Sequence, residues 1–202
     1  MTPLEAFDFA AFGSILGYFQ GSPDWFWLTF SSFGSGVMLG VISALVAWLL
    51  WRRGDRPAAI FLGVAFVGAH LLQVIAKFGF GRARPGIIDP AVFGPDPLRL
   101  YSWDPMSGSF PSGHALESIV VLGYLMTVVP SRWRIPAALA AIPAIVLIGA
   151  SRVTLGAHWP SDVIGGWVLG ALWLASVLWA RWTVQAQTRS APEGPPRSPA
   201  DS

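Results

Sequence analysis

The stretch WFWLTFSSFGSGVMLGVISALVAWLLW, residues 25–51, contains no charged side chain and sets the fold class of this chain. An α-helix rises about 1.5 Å per residue, so about 20 apolar residues cross the roughly 30 Å hydrocarbon core of a bilayer. The rest of the chain has the same character: 53% of its 202 residues are hydrophobic, only 12% are charged, and the mean hydropathy is +0.55. This composition indicates an integral membrane protein.

Further uncharged runs follow the first one along the chain. They cover 57–76, 118–131, 135–151 and 163–180. The second of these four is short, and it reaches spanning length only if residues 115–117 form its first helical turn. We therefore predict an all-α fold, a polytopic membrane helix bundle with five spanning helices.

The two ends of the chain differ from these runs. Three acidic side chains interrupt the Phe-rich segment 1–24, which predicts an interfacial helix on the bilayer surface rather than a span. The segment has neither a basic n-region nor a small-residue cleavage site, so we do not predict a signal peptide. Residues 183–202 are rich in Pro and Ser, which predicts a disordered tail after a single membrane-embedded domain at 1–182.

The basic residues divide between the two sides of the predicted bundle. Eight arginines lie on one side, and the positive-inside rule assigns that side and the C-terminus to the cytoplasm. The periplasmic or extracellular side carries the other five cations and eight of the eleven acidic residues. Basic residues on that side run against the positive-inside rule, so their presence there needs another explanation. The inner set is Arg52, Arg53, Arg56, Arg132, Arg134, Arg181, Arg189 and Arg197, and the outer set is Lys77, Arg82, Arg84, Arg99 and Arg152.

Most of the outer cations lie in two short segments, KFGFGRARP (77–85) and SRVTLGAHWPSD (151–162), and a third segment, PSGH (111–114), opens the third predicted span. The topology places all three segments at the same membrane face, although they are far apart in sequence. Together they supply cations, histidines and a carboxylate, a set of groups suited to a phosphate. These groups belong to Lys77, Arg84, Arg152, His114, His158 and Asp162.

Phosphate chemistry gives most of these groups a task. Phosphoryl transfer spreads negative charge over three equatorial oxygens, and catalysis consists mostly of positioning and stabilising that charge. The guanidinium forks of Arg84 and Arg152 each bind two oxygens, whereas Lys77 supplies a point charge. The amides of Ser112 and Gly113 lie at a helix N-terminus, where the dipole favours an anion and glycine allows a close backbone approach.

The last segment predicts the reactive group. Pro160 suits the first position of the fifth helix, which places Asp162 in the first turn and within reach of His158. A carboxylate on one imidazole nitrogen fixes the tautomer and leaves the other nitrogen bare to attack phosphorus. His158 is then the predicted nucleophile, which forms a phosphohistidine, and His114 protonates the leaving oxygen and afterwards activates water.

The same three segments resemble those of the type 2 phosphatidic acid phosphatase family. The patterns of that family are KxxxxxxRP, PSGH and SRxxxxxHxxxD, and the three segments match them without a mismatch. The resemblance implies an integral membrane phosphatase that requires no metal and no other cofactor. It also implies that His158 is the nucleophile, that Asp162 orients it, that His114 is the general acid, and that Lys77, Arg84, Ser112, Gly113 and Arg152 bind the phosphate.

Polar residues near these motifs leave alternatives open. Arg82 is a candidate fourth cation of the phosphate site. Glu117 lies three residues after His114 and on the same helical face. It is either a favourable acid in the first turn of a helix or a residue that tunes His114 or discriminates among head groups. His70 lies within the second span, and we expect it to hydrogen-bond between helices, with Gln73 nearby, rather than to take part in catalysis.

The position of the site predicts the substrate class. A pocket at the outer leaflet boundary, walled by apolar helices, admits a lipid tail sideways while the phosphate meets the cations. We expect lipid phosphates, first undecaprenyl diphosphate and second phosphatidic acid or phosphatidylglycerol phosphate, and a lipid phosphotransferase using the same site is the alternative. Transporters place charges near mid-bilayer and often contain internal repeats. The sequence has neither feature, so a transporter is disfavoured. Beyond substrate and membrane lipids, we predict neither a nucleic-acid partner nor an obligate protein partner.

Overall fold

The computed structural model describes residues 1–85 and 108–190, with side chains up to Thr188. All regular secondary structure in these ranges is helical, which confirms the predicted all-α class. A short 3₁₀ turn at Ser131–Trp133 precedes the sixth helix. The helices are α1 (Pro3–Tyr18), α2 (Asp24–Phe33), α3 (Gly36–Arg52), α4 (Arg56–Phe80), α5 (Gly113–Val128), α6 (Arg134–Thr154) and α7 (Pro160–Ser190).

Three helical segments of the described ranges are long and apolar enough to cross a bilayer, namely α4, Ser131–Thr154 and Pro160–Thr188. The pair α2 and α3 passes the same test as a fourth, bent candidate, and α5 is a shorter apolar helix of 16 residues. The protein is therefore a membrane protein built from several apolar helices. The five predicted spans exceed the number that length and hydropathy alone support.

The first uncharged run does not form the single helix predicted for 25–51. It divides into α2 and α3, which are bent by 45° relative to each other. Ser35 caps α3, because its hydroxyl accepts a hydrogen bond of 3.3 Å from the N–H of Met38. Gly34 lies against α6, where an added Cβ would collide with the side chain of Ile148. A serine cap and a tight helix contact therefore interrupt a run whose composition predicts continuity.

Helix α5 lies at the centre of the bundle, in contact with α3, α4, α6 and α7. Its side chains Leu116, Val120 and Tyr124 are fully buried in the main apolar core. The Tyr124 hydroxyl donates a hydrogen bond of 2.8 Å to the carbonyl of Ala58 on α4, which satisfies its polar group. A Cβ on Gly170 would lie 2.7 Å from the Leu116 carbonyl oxygen, so glycine allows α5 and α7 to approach closely.

Helix α1 packs on the bundle through one buried face. A capping box between Thr2 and Glu5 starts the helix. Asp8 and Phe12 are buried where α1 contacts α6 and α7, and the rings of Phe12 and Trp159 lie 5.5 Å apart between centroids. The structure thus contains a helix in the N-terminal segment, while its location at the membrane interface stays a prediction.

Helix α7 continues to Ser190, past the domain boundary predicted at 182. The prediction that the disordered tail begins at 183 is therefore wrong by two turns of helix, and the remaining part, 191–202, lies outside the described residues. The sequence TVQAQT at 183–188 contains Ala and Gln, which are good helix formers, so local propensity favours continuation of the helix.

Candidate active site

The three motif segments meet at one end of the bundle. Residues 77–85 end α4, residues 111–114 begin α5, and residues 151–162 connect α6 to α7. A backbone hydrogen bond of 3.0 Å, from the N–H of Ser112 to the carbonyl of Asp162, joins the second segment to the third. The predicted convergence of these segments is therefore confirmed.

His158 is buried in this cluster, with only 2% of its surface exposed. Its Nδ1 lies 3.6 Å from Oδ2 of Asp162, slightly beyond hydrogen-bond length, and 3.5 Å from the hydroxyl oxygen of Ser109. Asp162 occupies the first turn of α7, as Pro160 at the helix start predicted. Catalytic hydrogen bonds are often long in the absence of substrate, so the geometry fits a carboxylate that orients the imidazole through Nδ1.

The carboxylate of Asp162 is held by donors from three parts of the chain. Oδ2 accepts hydrogen bonds from the N–H of Trp159 at 2.9 Å and from the Ser109 hydroxyl at 2.5 Å. Oδ1 accepts a hydrogen bond of 2.6 Å from Arg82. The Asp162 side chain has no exposed surface, so these donors replace the water that burial removes. The carboxylate is thus held in one orientation beside His158.

Burial lowers the pKa of His158 to about 4, with further lowering by the charges of Arg152 and Arg84, although the Asp162 carboxylate acts in the opposite direction. At neutral pH the imidazole is therefore uncharged and carries the lone pair that a nucleophile requires. Since Nδ1 faces Asp162, the proton belongs on Nδ1 and the lone pair on Nε2.

This pKa predicts the acid limb of the pH profile. We expect kcat/KM to fall as the pH drops through about 4, rather than through the ordinary histidine value of about 6.5, because protonation of His158 removes the attacking lone pair. The profile is measured with two substrates whose phosphate groups have different pKa values. A limb caused by an enzyme group keeps the same pH for both substrates, whereas a limb caused by the substrate shifts with the phosphate pKa. A shared limb between pH 6 and 7 would contradict the assignment, and assay at pH 7 after incubation at pH 4 controls for denaturation.

The two arginines of the motif segments are buried, with 6% of Arg84 and 5% of Arg152 exposed. Arg84 donates a hydrogen bond of 3.0 Å to the carbonyl of Ala157, and Arg152 donates to the hydroxyl of Ser31 on α2. Within the described ranges the Nε of Arg152 has no hydrogen-bond partner. A buried donor without a partner is costly, so Arg152 is well suited to receive an oxygen of an anion.

The turn that opens α5 presents polar groups to the same place. Ser112 is the N-cap residue, yet its side chain caps no backbone amide, and its hydroxyl is buried without a hydrogen-bond partner among residues 1–85 and 108–190. An ordinary serine cap uses this hydroxyl to satisfy the helix. At Gly113 an added Cβ would collide with the Gln73 amide oxygen, so glycine lets the Gln73 side chain pack against the start of α5. The helix N-terminus and the available hydroxyl together favour an anion.

His114 follows this turn and is half buried. An added Cβ on Gly34 would lie 3.4 Å from its Cδ2, so the bend between α2 and α3 lies against the His114 ring. The residues close enough to interact with His114 electrostatically are Arg152, His158, Lys77 and Arg84. The structure therefore brings the predicted acid, the predicted nucleophile and the predicted cations into one site.

A family model described as the PAP2 superfamily matches residues 58–186, which is more than half of the chain and contains all three motif segments. The chain belongs to the PAP2 superfamily. This finding confirms the resemblance to type 2 phosphatidic acid phosphatases that the motifs indicated.

Named PAP2 relatives have lipid phosphates as substrates. The chain is 35% identical over 133 residues to an undecaprenyl-diphosphatase from Sulfolobus acidocaldarius, across 65% of this chain and 58% of that protein. It is 30% identical over 172 residues to a lipid A 1-phosphatase from Rhizobium etli, across 75% of this chain and 69% of the relative. The match thus spans less than two thirds of the length of the first relative.

A solved structure shares the PAP2 fold with this chain. It is the crystal structure of the first transmembrane PAP2 type phosphatidylglycerolphosphate phosphatase from Bacillus subtilis, and it superposes with a TM-score of 0.74. The superposition covers 91% of this chain and 89% of the other at 24% sequence identity. At that identity the comparison shows the common fold.

Arg82 contacts carboxylates in the PAP2 site. Its terminal nitrogens donate hydrogen bonds to Asp8 at 2.5 Å, to Ser161 at 2.7 Å and to Asp162 at 2.6 Å. Both terminal nitrogens of the guanidinium therefore have acidic or hydroxyl partners. This geometry differs from the predicted fourth phosphate cation and connects Arg82 to the support of Asp162.

Glu117 lies in the second turn of α5, so its interpretation as a first-turn acid is wrong. It is 1% exposed, and its Oε1 lies 2.8 Å from Nδ1 of His70 and 3.1 Å from Nε2 of Gln73. The expected hydrogen bonding of His70 between helices, with Gln73 nearby, is confirmed. These three side chains link α4 to α5 one helical turn from His114.

The cluster predicts the outcome of replacing Glu117 with glutamine. We expect the thermal stability to fall while the basic limb of the kcat/KM profile, which reports the general acid, stays in place, because the carboxylate is bound by His70 and Gln73. Thermal unfolding in detergent and a kcat/KM profile measure the two quantities. His70→Ala is the matched control, and the double variant should lose less stability than the two single losses combined, since the residues are in contact. A displaced basic limb would instead support tuning of His114, the proposed general acid.

Sequence reasoning missed several polar residues around the PAP2 motifs. Ser109 and Ser161 lie beside or within the motif segments, but family patterns do not specify them. Ser31 is an ordinary serine in an apolar run and gave no signal. Asp8 had a usable signal, because a carboxylate within FDFAAF is costly in apolar surroundings unless it has a partner.

No group of three or more His, Cys, Asp or Glu side chains in the described part of the chain is arranged to hold a metal ion. The histidines of the site instead lie among arginines and a lysine, whose charges suit phosphate oxygens directly. Independence from metals stays a prediction, which the chelator experiment below tests.

Proposed function

We propose that this protein is a membrane phosphatase that hydrolyses a lipid phosphate through a phosphohistidine at His158. The observation that carries the proposal is the buried imidazole of His158, with its Nδ1 3.6 Å from the Asp162 carboxylate and with Arg152 and Arg84 close enough for their charges to lower its pKa. Membership of the PAP2 superfamily and the names of the relatives support the same activity.

The first half-reaction transfers the phosphoryl group to the enzyme. Nε2 of His158 attacks phosphorus, while the Nδ1–H faces Asp162, which stabilises the positive charge that the ring gains. An N–P bond forms as the bond from phosphorus to the leaving oxygen breaks, and His114, held in its protonated form by the negative charge of the bound phosphate, gives its proton to that oxygen. The charge on the equatorial oxygens is met by Lys77, Arg84, Arg152, the Ser112 hydroxyl and the amides that begin α5.

The second half-reaction regenerates the enzyme. Water attacks the phosphohistidine, and the now neutral His114 accepts a proton from it. The N–P bond breaks, its electron pair returns to Nε2 of His158, and inorganic phosphate leaves. Both histidines are then in their starting protonation states.

The membrane arrangement forms part of the proposal. We infer five crossings, made by the bent pair α2 and α3 and by α4, α5, α6 and α7. Helix α5 is only about 24 Å long at 1.5 Å per residue, but its neighbours bury half of its residues, so it does not have to match the bilayer thickness. The distribution of arginines supports a cytoplasmic C-terminus and a motif end on the periplasmic or extracellular side of the cell membrane.

Undecaprenyl diphosphate is the first proposed substrate, since the relative with 35% identity is named an undecaprenyl-diphosphatase. Phe78 and Phe80 are exposed at the end of α4, beside Lys77, and offer an apolar surface for a lipid chain next to the phosphate site. Phosphatidic acid and phosphatidylglycerol phosphate are the alternatives. A phosphotransferase would use the same intermediate and pass the phosphoryl group to a lipid hydroxyl instead of water.

Phosphate release by the purified full-length protein tests the proposal. The panel contains undecaprenyl diphosphate, phosphatidic acid and phosphatidylglycerol phosphate in detergent micelles, with and without an added acceptor lipid. We expect inorganic phosphate without any acceptor, the fastest release from undecaprenyl diphosphate, and nearly full activity with a chelator present. Phosphate transfer only in the presence of acceptor would favour the phosphotransferase, and loss of activity on chelation would contradict a metal-independent site.

A further inference from the structure

Asp8 is a buried charge outside the three motif segments. It lies in α1 with 1% of its surface exposed. Its Oδ2 accepts hydrogen bonds from Arg82 at 2.5 Å and from the Ser161 hydroxyl at 2.7 Å, and its Oδ1 accepts one of 2.9 Å from the Ser161 backbone N–H. A buried carboxylate is costly unless it is paired and hydrogen-bonded, and these donors meet that requirement.

One of these contacts caps the helix that carries the catalytic carboxylate. Ser161 lies between Pro160 and Asp162 in the first turn of α7, where backbone N–H groups have no partner within the helix. Asp8 accepts the N–H of Ser161 and places its negative charge at the positive end of the helix dipole. A residue of α1 thus holds the first turn of α7 and therefore the backbone of Asp162.

The other contact reaches the Asp162 side chain through Arg82. One terminal nitrogen of the guanidinium binds Asp8 and the other binds Asp162, at 2.5 and 2.6 Å. The guanidinium also lies over the ring of Trp159, 5.8 Å from its centroid, and the same ring packs against Phe12 of α1. A planar fork bridges two carboxylates in this way, whereas a lysine ammonium is a single point charge.

The charges explain why two carboxylates share one guanidinium. Asp162 must stabilise the positive charge that His158 gains when it is phosphorylated. A guanidinium bound to Asp162 alone would neutralise that carboxylate and draw it away from the imidazole. Asp8 supplies the second negative charge, which balances Arg82 from the far side.

From these contacts we propose that Asp8 is a positioning residue for catalysis, which acts through Arg82 and Ser161 on the orientation and charge of Asp162. The inference rests on the proposed function. It makes α1 a part of the active site rather than only a surface helix.

Asp8→Asn in the full-length protein is the test, with Glu5→Gln as the matched control. Both changes remove one carboxylate from α1, and glutamine preserves the capping box at the helix start. We expect Asp8→Asn to lower kcat about tenfold to a hundredfold, the effect of a misplaced catalytic group, with KM and the inhibition constant of inorganic phosphate changed less than about threefold. We expect Glu5→Gln to match the wild type in all three constants.

Two further variants make the test decisive. Arg82→Lys keeps the positive charge but cannot bridge both carboxylates, so its kcat should fall as that of Asp8→Asn does. This variant replaces Asp8→Asn in the test if Asp8→Asn fails to fold. The combined loss in the double variant Asp8→Asn/Arg82→Lys should be smaller than the product of the two single losses, because both changes break the same Arg82 bridge. Wild-type kcat in Asp8→Asn or Arg82→Lys, multiplied losses in the double variant, or a loss confined to phosphate binding would overturn the inference. An inactive wild type would instead contradict the proposed function.

Discussion

Replacing His158 with alanine is expected to lower kcat for phosphate release from lipid phosphates by about five orders of magnitude or more, because the attacking nitrogen is lost. The same change removes the phosphohistidine. Acid quenching of the enzyme with radiolabelled substrate measures the intermediate directly, as an acid-labile, base-stable phosphoenzyme in the wild type and none in the variant.

The control for this experiment is His70→Ala. His70 lies on α4 outside the site, so this variant should still form the phosphoenzyme, even though it loses the contact with Glu117. Thermal unfolding shows whether His158→Ala retains the fold. Turnover or labelling that survives in a folded His158→Ala protein would overturn the mechanism.

Replacing His114 with alanine is expected to lower kcat for a lipid phosphate by about 10²- to 10⁴-fold, which corresponds to about 3 to 5 kcal/mol of transition-state stabilisation. The reason is that the alkoxide leaving group of a lipid phosphomonoester, such as phosphatidic acid, requires a proton. Nitrophenolate leaves without a proton from the enzyme, so the first turnover of nitrophenyl phosphate should be nearly normal in the variant. Hydrolysis of the phosphohistidine should remain slow, because the same residue activates water.

Rapid mixing of His114→Ala with nitrophenyl phosphate measures this separation. We expect a burst of nitrophenolate, equivalent to about one per active site, followed by slow turnover and accumulation of phosphoenzyme. The wild type provides the comparison under identical conditions. An equal loss of the first turnover for both leaving groups would show that His114 positions the substrate instead of transferring a proton.

The sequence predicted the site where its geometry is local. Pro160, as a helix-starting residue, placed Asp162 in the first turn of α7, and the structure has it there. His158 lies just two residues before the helix, so the Asp162 carboxylate can reach back to the imidazole through local geometry alone. The three motif segments lay at the ends of predicted helices, so their convergence followed from topology. Both local spacing and membrane topology can be predicted from a single sequence.

The contacts that hold the site residues in place could not be predicted from the sequence, because they join segments far apart in the chain. Arg82 had a candidate partner in the phosphate, and only the packing of α1 shows that Asp8 and Asp162 bind it. Glu117 had a candidate role near His114, and only the approach of α4 places His70 and Gln73 on its carboxylate. Side-chain pairs of this kind depend on helix rotation and crossing, which hydrophobic periodicity does not determine.

By itself the sequence determined that this is a helical membrane protein, because apolar runs in a bilayer must satisfy their backbone groups within each segment. Its three spaced motifs predicted phosphate chemistry. The tertiary structure decided where the first run bends and which charges share Arg82. Those outcomes depend on close contacts at single positions, such as Gly34 against Ile148 and Asp8 against Ser161. A composition specifies the energy of burial but not the partner that each buried group finds.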